Sequence, residues 1–216
     1  MFESKFKRFG GDHIPNIIEY LRCCIEKDPT LTISVGCDSI QKRRKTIYAN
    51  TIMLYNTDIK RGAHVVFFRE SCPKIRETQS RLYKEAQYLH DLATYLHNEL
   101  QPFYKRIDLS VTERKRYKFH LLRCEGEYNH VPPHQEENVI NNLTLLPVDN
   151  MDYKLVDIHV DFNPSEGTIN EKGVHRNKSY SAYKSYAPWL RGLGFRVWAK
   201  PNSPASSSAA DLLLQD

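Results

Sequence analysis

A chain of 216 residues, with 40% hydrophobic and 26% charged residues, has the composition of a folded globular protein and suits one core, or one core with an inserted subdomain. No apolar run approaches the ~20 residues that cross a bilayer, and the first residues lack the apolar segment of a signal peptide, so we expect no membrane association. Five cysteines without framework spacing indicate reduced thiols and a cytoplasmic location, and a net charge of +5 permits a nucleic-acid partner without requiring one.

The first half of the chain predicts a helix, three strands and a long helix. Apolar residues at helical spacing indicate a helix over 12–28, within an N-terminal extension of residues 1–29. Three strands follow, with short connections that favour antiparallel pairing, at 31–38, 46–56 and 63–71. Residues 74–100 then carry an apolar stripe at alternating steps of four and three, which is typical of an amphipathic helix.

The second half alternates strands and helices after a polar stretch. We interpret this stretch, residues 105–150, as an insertion with little regular structure. The remaining pattern predicts strands at 153–162 and 194–200, and helices at 177–191 (with a kink at Pro188) and 208–215. Strands separated by helices are expected to run parallel to the first strand. The order predicts one α/β domain over 1–216, with a mixed five-stranded sheet flanked by helices and an insertion between the first core helix and the fourth strand.

Four carboxylates fall in four different predicted elements. Asp38 ends the first strand and Asp161 ends the fourth, so their side chains meet at one edge if these strands are adjacent and parallel. Glu85 faces the sheet from the long helix, with Glu77 as the alternative, and Asp211 lies in the first turn of the last helix. Mg²⁺ and similar hard cations take oxygen ligands, and two such ions can drive phosphodiester hydrolysis. Four carboxylates from four elements suit that arrangement.

Three blocks of the sequence resemble the YkuK-type ribonuclease H-like family of predicted nucleases. They are VGCDS around Asp38, HVDFN around Asp161, and GLGFRVWAKPNSPASSSAADLL, which contains Asp211; RLYKEA, which carries Glu85, matches more loosely. The resemblance covers residues 30–100 and 153–215. It implies a ribonuclease H-like fold in which these four carboxylates bind two Mg²⁺ or Mn²⁺ ions and serve as the catalytic residues of a nuclease. Water activated between the metals is then the nucleophile.

Basic residues offer candidate contacts to a nucleic-acid backbone. One group lies in the predicted hairpin beside Asp38, where a solvated turn is an equal alternative: Lys42, Arg43, Arg44 and Lys45. Lys200 ends a strand at the same edge, where it can meet a substrate phosphate or make a structural salt bridge. A second group lies in the insertion, where we favour a solvated surface: Arg114, Lys115, Arg116 and Lys118.

Several histidines and acidic residues have competing interpretations. A zinc site is one interpretation of His120, Cys124, His130 and His134, but their spacing fits no standard zinc finger and surface histidines are the simpler explanation. His159 shares a strand face with Asp157 and Asp161. It is either a general acid or base near the metals or, as we prefer, a histidine packed under the last helix. Asp157 is the alternative to Asp161, and Asn177 is expected to cap the helix that follows it.

Three functions fit these observations. The first is a metal-dependent nuclease acting on RNA, an RNA–DNA hybrid or structured DNA. The second is a non-catalytic module of the same fold that binds nucleic acid or a protein, although such a module gains nothing from four mutually repelling carboxylates. The third is an enzyme for a smaller phosphate ester, which a closed pocket beside Asp38 would support and an open groove would disfavour. Fold alone does not choose among substrates.

Overall fold

A sheet of six strands organises the part of the chain described by the computed structural model, residues 2–28, 31–56, 63–103, 110–124, 126–145, 153–165 and 179–215. In chain order the strands are β1 (Lys7–Arg8), β2 (Leu31–Lys42), β3 (Lys45–Asn56), β4 (Ala63–Pro73), β5 (Val156–Val160) and β6 (Val197–Trp198). Their order across the sheet is β1-β4-β3-β2-β5-β6.

Helices cover both faces of this sheet. They are α1 (Ile17–Lys27), α2 (Thr78–Leu100), α3 (Val111–Cys124), α4 (Glu136–Asn142) and α5 (Tyr180–Gly192), with a 3-10 turn at Pro133–Gln135 and a π-helix at Ala205–Ala210. Helix α2 lies against β2 and β5 and contacts α1 and α5, whereas the π-helix lies against β2, β3 and β5. None of the described helices is both long enough and apolar enough to cross a membrane.

Strand β2 lies at the centre, between an antiparallel and a parallel neighbour. It pairs antiparallel with β3 from Leu31↔Asn56 to Lys42↔Lys45, and parallel with β5 from Ile33↔Val156 to Cys37↔Val160. Strand β6 extends the parallel part beside β5. The predicted mixed α/β sheet is therefore confirmed, and β1 adds a short sixth strand beside β4. Two residues are too few to show the alternation from which strands are predicted.

The larger core lies between α2 and one face of the sheet. Alternate residues of β2 and β5 point to this face and are fully buried, among them Ile33, Val35, Cys37, Ile158 and Val160. The buried stripe of α2 packs on them with Leu82, Leu89, Leu92 and Leu96. Apolar residues recur at every second position on the strands and at helical spacing on α2. Burial of this apolar surface therefore determines which side chains lie on each face of the sheet. The residues between them, including Gly36 and Asp38, point to the opposite face.

Several predicted elements differ in extent from those observed. The strand predicted at 153–162 is Val156–Val160, and that predicted at 194–200 is Val197–Trp198. Strand β2 does not end at Asp38 but continues to Lys42, because Ser39–Lys42 keep pairing with Lys45–Tyr48 although these residues are polar enough to indicate a turn. The insertion does not lack regular structure: it contains α3 and α4. Long polar side chains on α3 donate to backbone oxygens near α4. Because these contacts are polar, the sequence of α3 shows no marked apolar stripe from which a helix could be predicted.

The C-terminal helix begins earlier than predicted. The prediction placed its start at residue 208, whereas the π-helix spans Ala205–Ala210 and Asp211 follows it. Ser and Ala residues in this run indicated a loop with a capping residue. Their small side chains instead allow the segment to approach the sheet closely, a tertiary effect that local propensity does not contain.

Candidate active site

Asp38 and Asp161 are brought together by the parallel pairing of β2 and β5. The register ends at Cys37↔Val160, and Asp38 and Asp161 are the next residues on the two strands. Asp38 lies inside β2, opposite Ala49 on β3, rather than at the strand end as predicted. Its Oδ1 accepts a hydrogen bond from the backbone N–H of Ser39 at 2.7 Å. Burial, together with the nearby charge of Asp161, raises the pKa of Asp38 to about 6.

Asp211 joins this pair from the C-terminal segment. Its side chain is exposed, and its charge raises the pKa values of both Asp38 and Asp161. It follows the π-helix, with its backbone N–H bonded to the carbonyl oxygens of Ser206 and Ser208, so its predicted place in the first helical turn is wrong. The prediction that it lies near the other two aspartates is supported by these electrostatic contacts.

Close packing at Gly36 explains why the C-terminal segment reaches the aspartates. A Cβ atom at Gly36 would lie 2.2 Å from the backbone carbon of Ala205, so only glycine permits this approach. The Thr51 hydroxyl donates to the Ala205 carbonyl oxygen at 2.7 Å, and the Ala205 N–H donates to Nδ1 of His159 at 3.1 Å. These contacts fix the start of the π-helix on the sheet.

Apolar contacts hold the other end of the same segment. Ala210, Leu213 and Leu214 form a small core with Ala49 of β3. The hydrogen bonds near Ala205 and this second core together place Asp211 at its position beside the sheet.

Glu85 approaches from α2, on the opposite side of the sheet from the π-helix. Its side chain is 1% exposed, and its Oε1 accepts a hydrogen bond from the Ser39 hydroxyl at 2.5 Å. Its Oε2 is buried and has no hydrogen-bond partner within the described residues. Burial and, next, the charge of Asp38 raise the pKa of Glu85 to about 8. The expectation that Glu85 faces the sheet agrees with this geometry.

Lys200 lies against Asp161. Its Nζ is 2.9 Å from Oδ1 of Asp161, in an ion pair that is not aligned as a hydrogen bond, and 43% of its side chain is exposed. Burial raises the pKa of Asp161, while the Lys200 ammonium acts in the opposite direction. The ammonium therefore pairs with Asp161 and, being partly exposed, is also accessible to an incoming phosphate.

The rival acidic residues have other partners. Asp157 is buried and accepts bonds from Arg196 Nε at 2.6 Å and Trp198 Nε1 at 2.9 Å, so it is a structural carboxylate that joins β5 to β6. Glu77 accepts from the Ser80 hydroxyl and lies eight residues before Glu85, ~12 Å away along a helix. Neither shares in the electrostatic contacts of the four predicted carboxylates.

His159 lies beneath the C-terminal segment, as preferred. It is buried, and burial lowers its pKa to about 3, so the ring is neutral and accepts the Ala205 N–H bond. The Asn177 prediction lies outside the described residues. Within them, Ser179 is the residue before α5, and its hydroxyl accepts a bond from the Asn163 N–H.

The hairpin between β2 and β3 presents an unpaired group of cations. Arg43 and Arg44 form its turn, and Lys42 and Lys45 flank them. All four side chains are exposed, and none is paired with another described residue. Lys42 lies four residues beyond Asp38, ~13 Å along an extended strand, so the hairpin is further from the carboxylates than predicted.

Sequence reasoning missed two further cations beside this hairpin. Lys74 and Arg76 follow β4, and both are exposed. Their segment is held against the hairpin because the Lys74 N–H donates to the Arg44 carbonyl and the Gln41 side chain donates to the Ile75 carbonyl. Only the pairing of β3 with β4 shows that these residues extend the same surface.

The basic residues of the insertion are used differently. Lys115 and Lys118 donate to the carbonyl oxygens of Asn141 and Thr144, and Arg116 pairs with Glu137. These bonds link α3 to α4 and to the residues after it. The insertion's basic run is therefore largely structural, in keeping with the preference against a phosphate site.

Metal binding requires the carboxylates to move together. Within the described residues, no three His, Cys, Asp or Glu side chains are placed so that they could hold a metal ion. This covers the four carboxylates and also His120, His130 and His134, whereas the side chain of Cys124 lies outside the description. Like charges separate in the absence of a cation. The all-oxygen donor set and the buried, unpartnered Oε2 of Glu85 nevertheless fit a hard divalent cation.

A comparison with protein families agrees with the fold. The family model described as Ribonuclease H-like matches residues 16–114, just under half of the chain. Over these residues the chain is similar to ribonuclease H-like proteins. The resemblance seen in the sequence and the α/β class are confirmed, and a ribonuclease H-like domain points to a function related to nucleic acids. The match includes Asp38 and Glu85, whereas Asp161 and Asp211 lie outside it. Neither a curated protein nor a solved structure matches the chain.

Proposed function

We propose that this protein is a metal-dependent nuclease that hydrolyses phosphodiester bonds of nucleic acid. The observation that carries the proposal is the convergence of four carboxylates from separate elements. Asp38 lies on β2, Glu85 on α2, Asp161 after β5 and Asp211 after the π-helix. Asp161 and Asp211 raise the pKa of Asp38, Asp211 raises that of Asp161, and Asp38 and Asp161 raise that of Glu85, which unrelated surface carboxylates would not do.

Two Mg²⁺ or Mn²⁺ ions are the proposed cofactors, with Asp38, Glu85, Asp161 and Asp211 as their ligands. When bound, such ions lower the pKa of an attacking water and stabilise the leaving oxygen. The protein's own residues supply the position: β2 and β5 hold Asp38 and Asp161 side by side, and the contacts of Gly36 and Thr51 seat the segment that carries Asp211.

Lys200 is proposed to contact substrate. Its ammonium pairs with Asp161 and its side chain is 43% exposed, so it can leave the carboxylate and bind a phosphate oxygen instead. Lys42, Arg43 and Arg44 are proposed to bind the nucleic-acid backbone further from the site, with Lys74 and Arg76 beside them. Their exposure and lack of anionic partners among the described residues favour this role over the insertion's basic run.

An open site favours a polymer over a small phosphate ester. Asp211 is exposed and Lys200 is partly exposed, so the carboxylates are reached from the surface on this side. RNA, an RNA–DNA hybrid and structured DNA all remain candidate substrates. We also propose a cytoplasmic location, with which the four free cysteines among the described side chains are compatible.

A nuclease assay with a matched variant tests the proposal. Labelled hybrid, duplex RNA, single strands and branched DNA are incubated with the protein in Mn²⁺, beside Asp38→Asn, which keeps the side-chain shape and removes the charge. We expect cleavage of at least one substrate by the wild type, at least a hundredfold slower in Asp38→Asn. Cleavage that survives the substitution would place the active site elsewhere.

One observation favours a non-catalytic ribonuclease H-like module as a second candidate. The Lys200 ammonium neutralises Asp161 in the absence of a metal, as a residue retained only for stability would. Such a module would bind nucleic acid or a protein without cleaving it. Binding of oligonucleotides together with no cleavage of any of them in Mg²⁺ or Mn²⁺ would favour this candidate over the nuclease.

A further inference from the structure

A short chain of hydrogen bonds ends on the carboxylate of Glu85. Arg81 Nη1 donates to the Ser39 carbonyl oxygen at 2.7 Å and to the Ser39 hydroxyl oxygen at 2.8 Å. The same hydroxyl donates to Oε1 of Glu85 at 2.5 Å. Ser39 is the residue after Asp38 on β2, and Arg81 lies one helical turn before Glu85 on α2. The chain therefore joins the two elements that carry two of the proposed metal ligands.

The direction of these bonds is fixed by what each group can donate. A guanidinium only donates, and a serine hydroxyl has one hydrogen. Because Arg81 supplies a hydrogen to the Ser39 oxygen, the hydroxyl's own hydrogen is left for Glu85. Oε1 of Glu85 is therefore an acceptor, and one rotation of the carboxylate group is favoured.

The second carboxylate oxygen of Glu85, Oε2, is in a different environment from Oε1. Oε2 of Glu85 is buried and has no hydrogen-bond partner among the described residues. A proton on Oε2 would likewise find no acceptor there. Buried polar atoms without partners are costly, so an atom kept in this state calls for a ligand. Two carboxylates, Asp38 and Asp161, act on Glu85 against one cation, Arg81, so a further cation is the fitting ligand.

We propose that Ser39 and Arg81 are positioning residues that hold Glu85 so that Oε2 is directed to a divalent cation. The proposal rests on the proposed metal-dependent function and assigns to this site a support that was not evident from the sequence. Arg81 acts through Ser39: its Nη1 is 3.7 Å from Oε1 of Glu85, outside hydrogen-bond distance, whereas both of its bonds go to Ser39.

Calorimetric titration with Mn²⁺ alone tests this without any substrate. Ser39→Ala removes the hydroxyl and changes no charge. We expect Mn²⁺ binding to weaken about 10- to 100-fold, the range typical of residues that orient metal ligands. Ser39→Thr keeps a hydroxyl and should restore most of the affinity. Ser34→Ala is the matched control, because Ser34 is a buried serine of the same strand and should bind Mn²⁺ as the wild type does.

Arg81→Gln separates positioning from charge. Removal of a positive charge near the carboxylates should by itself strengthen cation binding. Weaker Mn²⁺ binding in Arg81→Gln therefore reports the lost orientation, whereas stronger binding would overturn the role proposed for Arg81. The thermal unfolding midpoint of each variant, measured without metal, checks that every variant in the comparison is folded.

Two results would overturn the inference in different ways. If the wild type binds Mn²⁺ and Ser39→Ala binds it equally well, Ser39 is only structural, and the nuclease proposal stands. If the wild type does not bind Mn²⁺, the metal-dependent function fails and the positioning role fails with it.

Discussion

At the scale of single residues, Glu85 is the most constrained member of the site. It lies on the buried face of α2. One of its carboxylate oxygens is bonded to Ser39, and the other has no partner among the described residues. Its pKa is raised to about 8 by burial and by Asp38, so the folded protein holds its proton more tightly than the unfolded chain does. If Glu85 binds a metal ion as proposed, metal binding and protonation compete at this carboxylate.

We expect this competition to appear in the pH dependence of stability without metal. A raised carboxyl pKa contributes stability that is lost as the pH rises from the ordinary glutamate value to about 8. His159, with its pKa lowered to about 3, acts in the opposite sense below about pH 6.5, because the unfolded chain takes up a proton there. The clear window for Glu85 is therefore from about pH 6.5 to about 8.

Urea unfolding in a chelator across this window provides the measurement. The free energy of unfolding of the wild type should fall as the pH rises, and Glu85→Gln should show a flatter profile. Glu77→Gln is the control, because Glu77 lies at the exposed start of the same helix and should leave the slope unchanged. An equally steep fall in Glu85→Gln would show that another group is responsible.

At the scale of elements, two basic segments of similar composition have different environments. The β2–β3 hairpin presents Arg43 and Arg44 to solvent without partners among the described residues, whereas α3 uses Lys115, Arg116 and Lys118 to bind the region around α4. A phosphate backbone is attracted by free cations and displaces their counterions. Cations already paired within the protein contribute much less to such binding.

The hairpin is therefore expected to dominate nucleic-acid binding. Removal of two phosphate contacts by Arg43→Gln with Arg44→Gln should reduce the slope of log affinity against log salt by roughly 1.4 to 1.8. Fluorescence anisotropy with a labelled oligonucleotide in a chelator measures the slope without cleavage. Arg116→Gln with Lys118→Gln is matched in charge and should change it little. An equal reduction by the insertion variant would place the interface on α3 instead.

Sequence reasoning succeeded where one face of an element is buried. Alternating apolar residues predicted the strands β2, β3 and β5 and their mixed pairing. The apolar stripe of α2 predicted that Glu85 faces the sheet. It failed for α3, whose bonds to the α4 region come from side chains rather than an apolar stripe, and for Lys74, whose place beside Arg44 depends on strand pairing. Ser39 and Arg81 carried no recognisable signal, because a hydrogen-bond chain between two elements exists only in three dimensions.

At the scale of the whole molecule, the C-terminal segment completes the site from the face opposite α2. The start of this segment packs on Gly36. Its end, including Leu213, packs on Ala49 in the second core, and Asp211 lies in the segment held by these two contacts. The two helical layers therefore deliver carboxylates to one sheet edge from opposite directions. The position of Asp211 depends on how closely the π-helix approaches β2.

Gly36→Ala tests this dependence. The added Cβ would clash with the backbone of Ala205, so the segment must shift, which we expect to cost about 1–3 kcal/mol of stability and to weaken Mn²⁺ binding. Urea unfolding and Mn²⁺ titration provide the two readouts. Gly192→Ala is the control: a Cβ there meets nothing within 4 Å, and alanine at the end of α5 should not destabilise the fold. Wild-type behaviour of Gly36→Ala in both readouts would contradict the packing argument.

The spread of the four carboxylates along the chain has a consequence for biosynthesis. Asp38 and Asp211 lie far apart in the sequence, and Asp161 and Asp211 reach Asp38 only after β5 and the C-terminal segment have docked on β2. An incomplete or misfolded chain therefore holds scattered acidic residues rather than a set. For the proposed nuclease, this arrangement would be a safeguard, because a nascent chain on the ribosome, surrounded by RNA, would lack the assembled carboxylates until its tertiary structure is finished.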